Sequence, residues 1–291
     1  MANLIDGKAI AAAVRQEVAA EVAEWVGSGH RPPYLSVVLV GDDPASASYV
    51  RGKTAAAAEV GIDSDTLRYE SGSTQDEILG VVRRLNEDVA VDGILVQLPL
   101  PDHVNEQLVI QTVDPDKDVD GFHPENVGRI SLGHSGFSPA TPSGIIELLR
   151  RCDIPTRGQH VVIVGRSNIV GKPLATLLMR KGVDATVTVC HSRTRDLPSL
   201  TRQADIVVAA IGSAGFIREE MVRAGAVVID VGVNRVEDAS RERGYRLVGD
   251  VDFDAVAKKA SWITPVPGGV GPMTIAMLLK NTLEAARRHA V

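Results

Sequence analysis

Short apolar runs that recur along the chain, each followed by a stretch long enough for a helix, limit what this sequence can fold into. They are YLSVVLVG at 34–41, GILVQLPLP at 93–101, HVVIVG at 160–165, TVTVC at 186–190, DIVVAA at 205–210 and AVVIDVG at 226–232. Runs that are apolar throughout, without alternating with polar residues, describe strands buried on both faces, and such strands need helices over them. The sequence therefore predicts an α/β protein with parallel sheets. Aromatic residues make up only 3% of the chain, which suits helices and strands built from Ala, Val, Ile, Leu and Gly.

The helices carry their own signals. Ile10, Val14, Val18, Val22 and Trp25 recur at spacings of four and three, one stripe of a helix over 8–26. Asp43-Pro44 reads as a cap and first turn opening a helix that carries Tyr49 and Lys53 and stops at Gly61. A strand follows at 62–69. Thr74 and Glu77 have the spacing of a capping box, opening a helix to about Asp88. Ile275, Leu278, Leu279, Thr282 and Leu283 share a face of a closing helix over 272–291. At 291 residues the chain exceeds one ordinary domain. The stretch from Asp114 to Pro142 reads as loop-rich, and a join near 130–145 divides the chain into 1–140, joined by the closing helix, and 141–271.

The exclusions are equally physical. A net charge of −6 argues against a protein that coats nucleic acid. No apolar run reaches the roughly 20 residues needed to span a bilayer, so a soluble cytoplasmic chain with no membrane partner is expected. Cys152 and Cys190 are far apart, without the spacing of a disulfide framework or zinc site. Asp116, Asp118 and Asp120 alternate as in a calcium loop, but the twelfth position is Val127 in place of the chelating Glu, so no metal is expected. Gly165-x-Ser167 lacks the second Gly of a nucleophile elbow, which argues against a serine hydrolase.

The strand HVVIVG runs into Gly165-Arg166-Ser167-Asn168-Ile169-Val170-Gly171, a glycine-bounded turn at the start of a helix. Backbone N–H groups at such a turn can meet a pyrophosphate, although Ser167 stands where the usual second Gly would be. An ordinary βα turn explains the motif as well. The next strand ends Cys190-His191-Ser192-Arg193-Thr194 with no carboxylate for a ribose 2′-hydroxyl, and Arg166 lies on the neighbouring loop. That pattern favours NADP over NAD. In the first half, Tyr49 and Lys53 are one helical turn apart beyond the carboxyl end of a strand, and Gln97 ends another. The three can converge on one cleft, where desolvation turns a lysine into a base. Most helical lysines are merely solvated.

Together these segments resemble the bifunctional methylenetetrahydrofolate dehydrogenase/methenyltetrahydrofolate cyclohydrolase family over nearly the whole chain. The matching strings are YVRGK at 49–53, GILVQLPLP at 93–101, PDKDVDGFHPENVGR at 115–129, TPSG at 141–144, VGRSNIVGKP at 164–173, CHSRT at 190–194, DVGVNR at 230–235 and TPVPGGVGPMT at 264–274. In one departure, Ala55 and Ala57 replace a Lys and a Cys common in such proteins.

The resemblance implies two α/β domains, the second Rossmann-like, with a cleft between them. It implies NADP-dependent oxidation of 5,10-methylenetetrahydrofolate to the methenyl form, then hydrolysis to 10-formyltetrahydrofolate. The alternatives are a monofunctional NADP dehydrogenase of the same fold, a different NADP enzyme acting on a carbonyl, and a catalytically silent nucleotide-binding protein that regulates a partner. By resemblance Lys53 is the cyclohydrolase base, Tyr49 positions or packs on the folate, Gln97 holds the lysine and Asp120 binds the pterin. Pro99, Pro267, Gly268 and Gly269 join them against the substrate. Gly165, Arg166, Ser167, Val170, Gly171, Ser192, Arg193, Val233 and Thr274 take the cofactor. A homodimer through the cofactor-binding half is implied as well.

Overall fold

The computed structural model describes residues 1–241 and 244–290. They divide into two compact units, Met1–Ala11 with Thr141–Thr274, and Ala12–Ala140 with Ile275–Val291.

The unit built from Ala12–Ala140 and Ile275–Val291 holds a three-stranded parallel sheet in the order Asp63–Tyr69, Tyr34–Val40, Gly93–Val96. Val38 sits centrally, beside Leu67 on one neighbour and Val96 on the other. It packs with Ile78, Val82, Ile94 and Val109 in a core that removes the apolar face of the helix Gln75–Glu87 from water. Local signals set the helix starts. The Asp43 carboxylate accepts from Ser46 N over 2.7 Å at the head of Pro44–Glu59. Thr74 and Glu77 close their box in both directions.

The expected strand 93–101 is cut short and ends at Val96. Gln97 N still donates to Val38 O over 2.9 Å, but Pro99 and Pro101 have no N–H to continue the ladder. In the helix Gly7–Gly27, Val14, Val18 and Val22 are buried, with Trp25 partly so. The closing helix begins at Val270, two residues before Pro272, and buries Leu278, Leu279, Thr282 and Leu283.

The other unit is a six-stranded, wholly parallel sheet. Its order is Asn3–Leu4, Trp262–Ile263, Val227–Asp230, Ile206–Ala209, His160–Val164, Thr186–Cys190. Ile206–Ala209 and Val227–Asp230 are buried along their whole length, and His160–Val164 from Val161 onward, as runs of consecutive apolar residues require. Three features carried no sequence signal: the two-residue strand Asn3–Leu4 at the sheet edge, its two-residue neighbour Trp262–Ile263, and the antiparallel pair Asn234–Glu237 and Tyr245–Val248. Elements of two to four residues are too short for a period to register.

Candidate active site

Lysine 53 occupies a position that an apolar residue would normally take. Val50, Lys53 and Ala57 follow one another at helical spacing along the buried side of Pro44–Glu59. Lys53 is only 7% exposed, whereas Tyr49, one turn earlier, is 44% exposed. The Lys53 amine donates to Gln97 Oε1 over 3.1 Å. Gln97 Nε2 donates to Leu98 O over 2.7 Å, which fixes the amide with its oxygen toward the lysine. Burial holds the Lys53 pKa below its ordinary value, opposed by the nearby Asp120 charge. Reciprocally, burial raises the Asp120 carboxyl and the lysine's charge lowers it. Tyr49, Lys53, Gln97 and Asp120 thus belong to one unit, with Lys53 touching Gln97 and coupled electrostatically to Asp120. The exposed Pro99 follows two residues after Gln97.

The segment that presents Asp120 is held on both sides by buried polar groups. Asp118 is 4% exposed and accepts from Phe122 N, His123 N and Asn126 Nδ2 at 3.2, 2.8 and 2.9 Å. Burial pushes its pKa up to about 7 against those hydrogen bonds. Asn281 Nδ2 donates to Val119 O and Ser138 O at 2.8 and 3.1 Å. Asp116, the third acid of the alternating set, pairs instead with Arg129. Of the departures from the family pattern, Ala55 is exposed two residues from Lys53, and Ala57 is fully buried.

In the six-stranded unit, a cavity of about 470 Å³ opens at the carboxyl ends of His160–Val164 and Thr186–Cys190. Gly165, Arg166, Ser167 and Ser192 line it. Gly165 adopts φ 133°, and a side chain there would strike the Ala210 carbonyl. The Ser167 hydroxyl accepts from Val170 N and Gly171 N at 3.1 and 3.4 Å, so two amides at the helix start are already engaged. Arg193, Val170, Gly171, Val233 and Thr274 are not among the lining residues. Arg193 is exposed, with its N–H donating to His191 Nδ1 over 3.1 Å. Val233 follows the strand Val227–Asp230 and is 48% exposed. The Thr274 hydroxyl is 2.9 Å from that of Thr141. Sequence reasoning missed Ala210, Ile211 and Phe216 in the lining; the one available signal was that Ala210 ends the run DIVVAA and Ile211 follows it. Pro267, Gly268 and Gly269 form a tight loop in this unit, where Lys8 N donates to Gly268 O over 2.9 Å. Gly269 approaches Thr264 and Pro265 too closely for any side chain.

Parallel strands ending at a glycine-bounded cavity, in a chain that also buries a lysine against an amide, define a nucleotide-dependent α/β enzyme. Residues 5–120 match the family model described as tetrahydrofolate dehydrogenase/cyclohydrolase, catalytic domain. Residues 139–290 match that of the family's NAD(P)-binding domain. A relative from Salinibacter ruber, called bifunctional protein FolD, is 62% identical over 99% of this chain and 97% of its own length. The Campylobacter jejuni FolD methylenetetrahydrofolate dehydrogenase/cyclohydrolase structure superposes with a TM-score of 0.93 at 48% identity, covering 99% of both chains. The Trypanosoma brucei methylenetetrahydrofolate dehydrogenase-cyclohydrolase, solved with NADP and an inhibitor, has a TM-score of 0.95 at 44% identity, covering 99% of this chain and 98% of that one. The chain belongs to the tetrahydrofolate dehydrogenase/cyclohydrolase family.

Proposed function

We propose that the two reactions of this bifunctional enzyme draw on separate groups of residues, with Lys53 as the base of the hydrolytic step and the Gly165 cavity as the cofactor pocket. The chain is an NADP-dependent methylenetetrahydrofolate dehydrogenase and a methenyltetrahydrofolate cyclohydrolase. The unit around Lys53 binds the folate, and the six-stranded unit binds NADP.

The observation that carries this reading is the buried amine of Lys53 held against Gln97. A lysine whose pKa is lowered by burial gives up its proton more readily than one in water, which suits it to act as a base. The cyclohydrolase substrate is a cationic methenyl carbon. A charged lysine would oppose that cation, whereas a neutral one takes the proton of the attacking water. Asp120 accepts the adjacent N–H donors of the pterin. Tyr49, exposed one turn from Lys53, packs on the ring, and Pro99 borders it.

The residues of the Gly165 cavity suit NADP. Gly165 leaves room for close backbone approach, and Ser167 and Ser192 add hydroxyl groups. Arg166 on the rim offers a planar cation to the 2′-phosphate, with Arg193 exposed nearby in sequence to the lining residue Ser192. NADP, when bound, supplies the acceptor for the hydride that leaves the methylene carbon.

The chain works in the cytoplasm as a homodimer, in one-carbon metabolism feeding purine, methionine and histidine synthesis. Family membership supports this; among the described residues no helix is long and apolar enough to cross a membrane. Light scattering on the purified chain tests the dimer. The test of the main reading is a spectrophotometric assay with methylenetetrahydrofolate and NADP, expected to show the methenyl chromophore form and then decay by hydrolysis. Formation without enzyme-dependent decay would leave only the monofunctional dehydrogenase.

A further inference from the structure

Two buried carboxylates in the six-stranded unit have no part in the roles above. Asp230 ends the strand Val227–Asp230 and is 3% exposed; Asp250, shortly after Tyr245–Val248, is 0% exposed. Asp250 Oδ2 accepts from Ile211 N and Gly212 N at 2.6 and 2.9 Å. Its Oδ1 accepts from Ser213 N at 2.8 Å and Asn234 Nδ2 at 2.9 Å. None of these four donors is a cation. Asp230 holds its neighbour in place: its carboxylate accepts from Gly232 N, Asp250 N and Val251 N at 3.0, 2.9 and 2.9 Å. Its own N–H donates to Thr264 Oγ1 over 2.7 Å.

A buried anion without a counter-ion is costly, and is retained only where hydrogen bonds satisfy it. Here the need is geometric. Three consecutive amides, 211 to 213, converge on one group together with the Asn234 amide. Only a carboxylate presents acceptors at both oxygens, because an asparagine would turn N–H against N–H. The two segments it ties follow adjacent parallel strands, Ile206–Ala209 and Val227–Asp230, at their carboxyl ends. Ile211 lines the Gly165 cavity, and Val233 lies in the second segment. Burial pushes the Asp230 carboxyl up to about 6 against three backbone donors, with the Asp250 charge adding to the rise.

We infer that Asp250, held by Asp230, is a positioning residue for NADP: it sets segments 211–213 and 231–234, so that cofactor binding depends on it and folate hydrolysis does not. The inference rests on the reading of the Gly165 cavity as the NADP pocket.

The experiment is Asp250→Asn in the full-length enzyme, with NADP affinity measured by calorimetric titration beside steady-state kinetics. The dissociation constant and the KM for NADP are expected to rise about tenfold or more, as two of four hydrogen bonds are lost. The kcat at saturating NADP and the hydrolysis of methenyltetrahydrofolate without NADP are expected to stay within about twofold of the parent. NADP affinity within about twofold of the parent would overturn the inference, and so would a parallel fall of both activities. Should Asp250→Asn not fold, Asn234→Ala removes a single donor. Weaker NADP binding with hydrolysis intact supports the inference; unchanged binding overturns it. Arg166→Ala separates the two readings. If neither Arg166→Ala nor Asp250→Asn weakens NADP, the pocket assignment fails; if only Arg166→Ala does, the positioning role fails alone.

Discussion

The amine of Lys53 donates to Oε1 of Gln97 over 3.1 Å, while the same amide is anchored through Nε2 to the Leu98 carbonyl over 2.7 Å. This arrangement has a chemical consequence. A neutral amine that donates one N–H keeps its lone pair, so Gln97 holds the group in place without using the site at which it takes a proton.

Lys53→Gln removes that lone pair but leaves a polar side chain of similar length. Cyclohydrolase turnover should fall by about 10²- to 10⁴-fold, the usual scale for a positioned acid or base. NADP binding should be unchanged in a direct titration. Hydrolysis at the parental rate would dismiss Lys53 as the base.

The pH profile reports the charges around the amine. Burial lowers the Lys53 pKa and Asp120 raises it. Gln97→Glu sets a carboxylate against the amine and stabilises the ammonium form, so the rising limb of the hydrolysis profile should move to higher pH. Asp120→Asn removes the anion that favours the charged form, so the limb should move to lower pH at saturating folate. Displacement of both profiles in one direction would exclude Lys53 as the titrating group.

Arg166 lines the cofactor cavity beside Ser167 and Ser192. Arg166→Ala should weaken NADP by roughly 10- to 100-fold, the loss of one charge-assisted contact, and NAD much less because it has no 2′-phosphate. Equal losses for the two cofactors, measured by titration, would contradict that contact.

Thr74 caps the helix Gln75–Glu87 with its hydroxyl and takes the Glu77 carboxylate on its backbone N–H at 2.7 Å. Thr74→Ala should cost about 1 kcal/mol in urea denaturation, the usual worth of an N-cap, with both activities kept. A change under a few tenths of a kcal/mol would show the box to be unimportant for stability.

Much of this protein could be read in its sequence because the causes are local. Asp43-Pro44 and Thr74 with Glu77 start helices through contacts within one turn, and the unbroken apolar runs of the six-stranded sheet declare burial on both faces. Lys53 and Gln97 stand 44 residues apart, and sequence could only put each near the end of an element. Parallel pairing of Tyr34–Val40 with Gly93–Val96 delivers one to the other. The resemblance to a known family named Asp120, yet gave no hint of how far burial would alter its titration. The short strands at Asn3–Leu4 and Trp262–Ile263 and the linkage of Asp230 to Asp250 were wholly silent. Residue order set the helix caps, the strand runs and the order of α and β elements, since each depends on neighbours within a few positions. Folding alone decided that Lys53 lost its water and that the Asp230 carboxylate met the Asp250 backbone, because desolvation and long-range hydrogen bonds exist only once distant segments have packed.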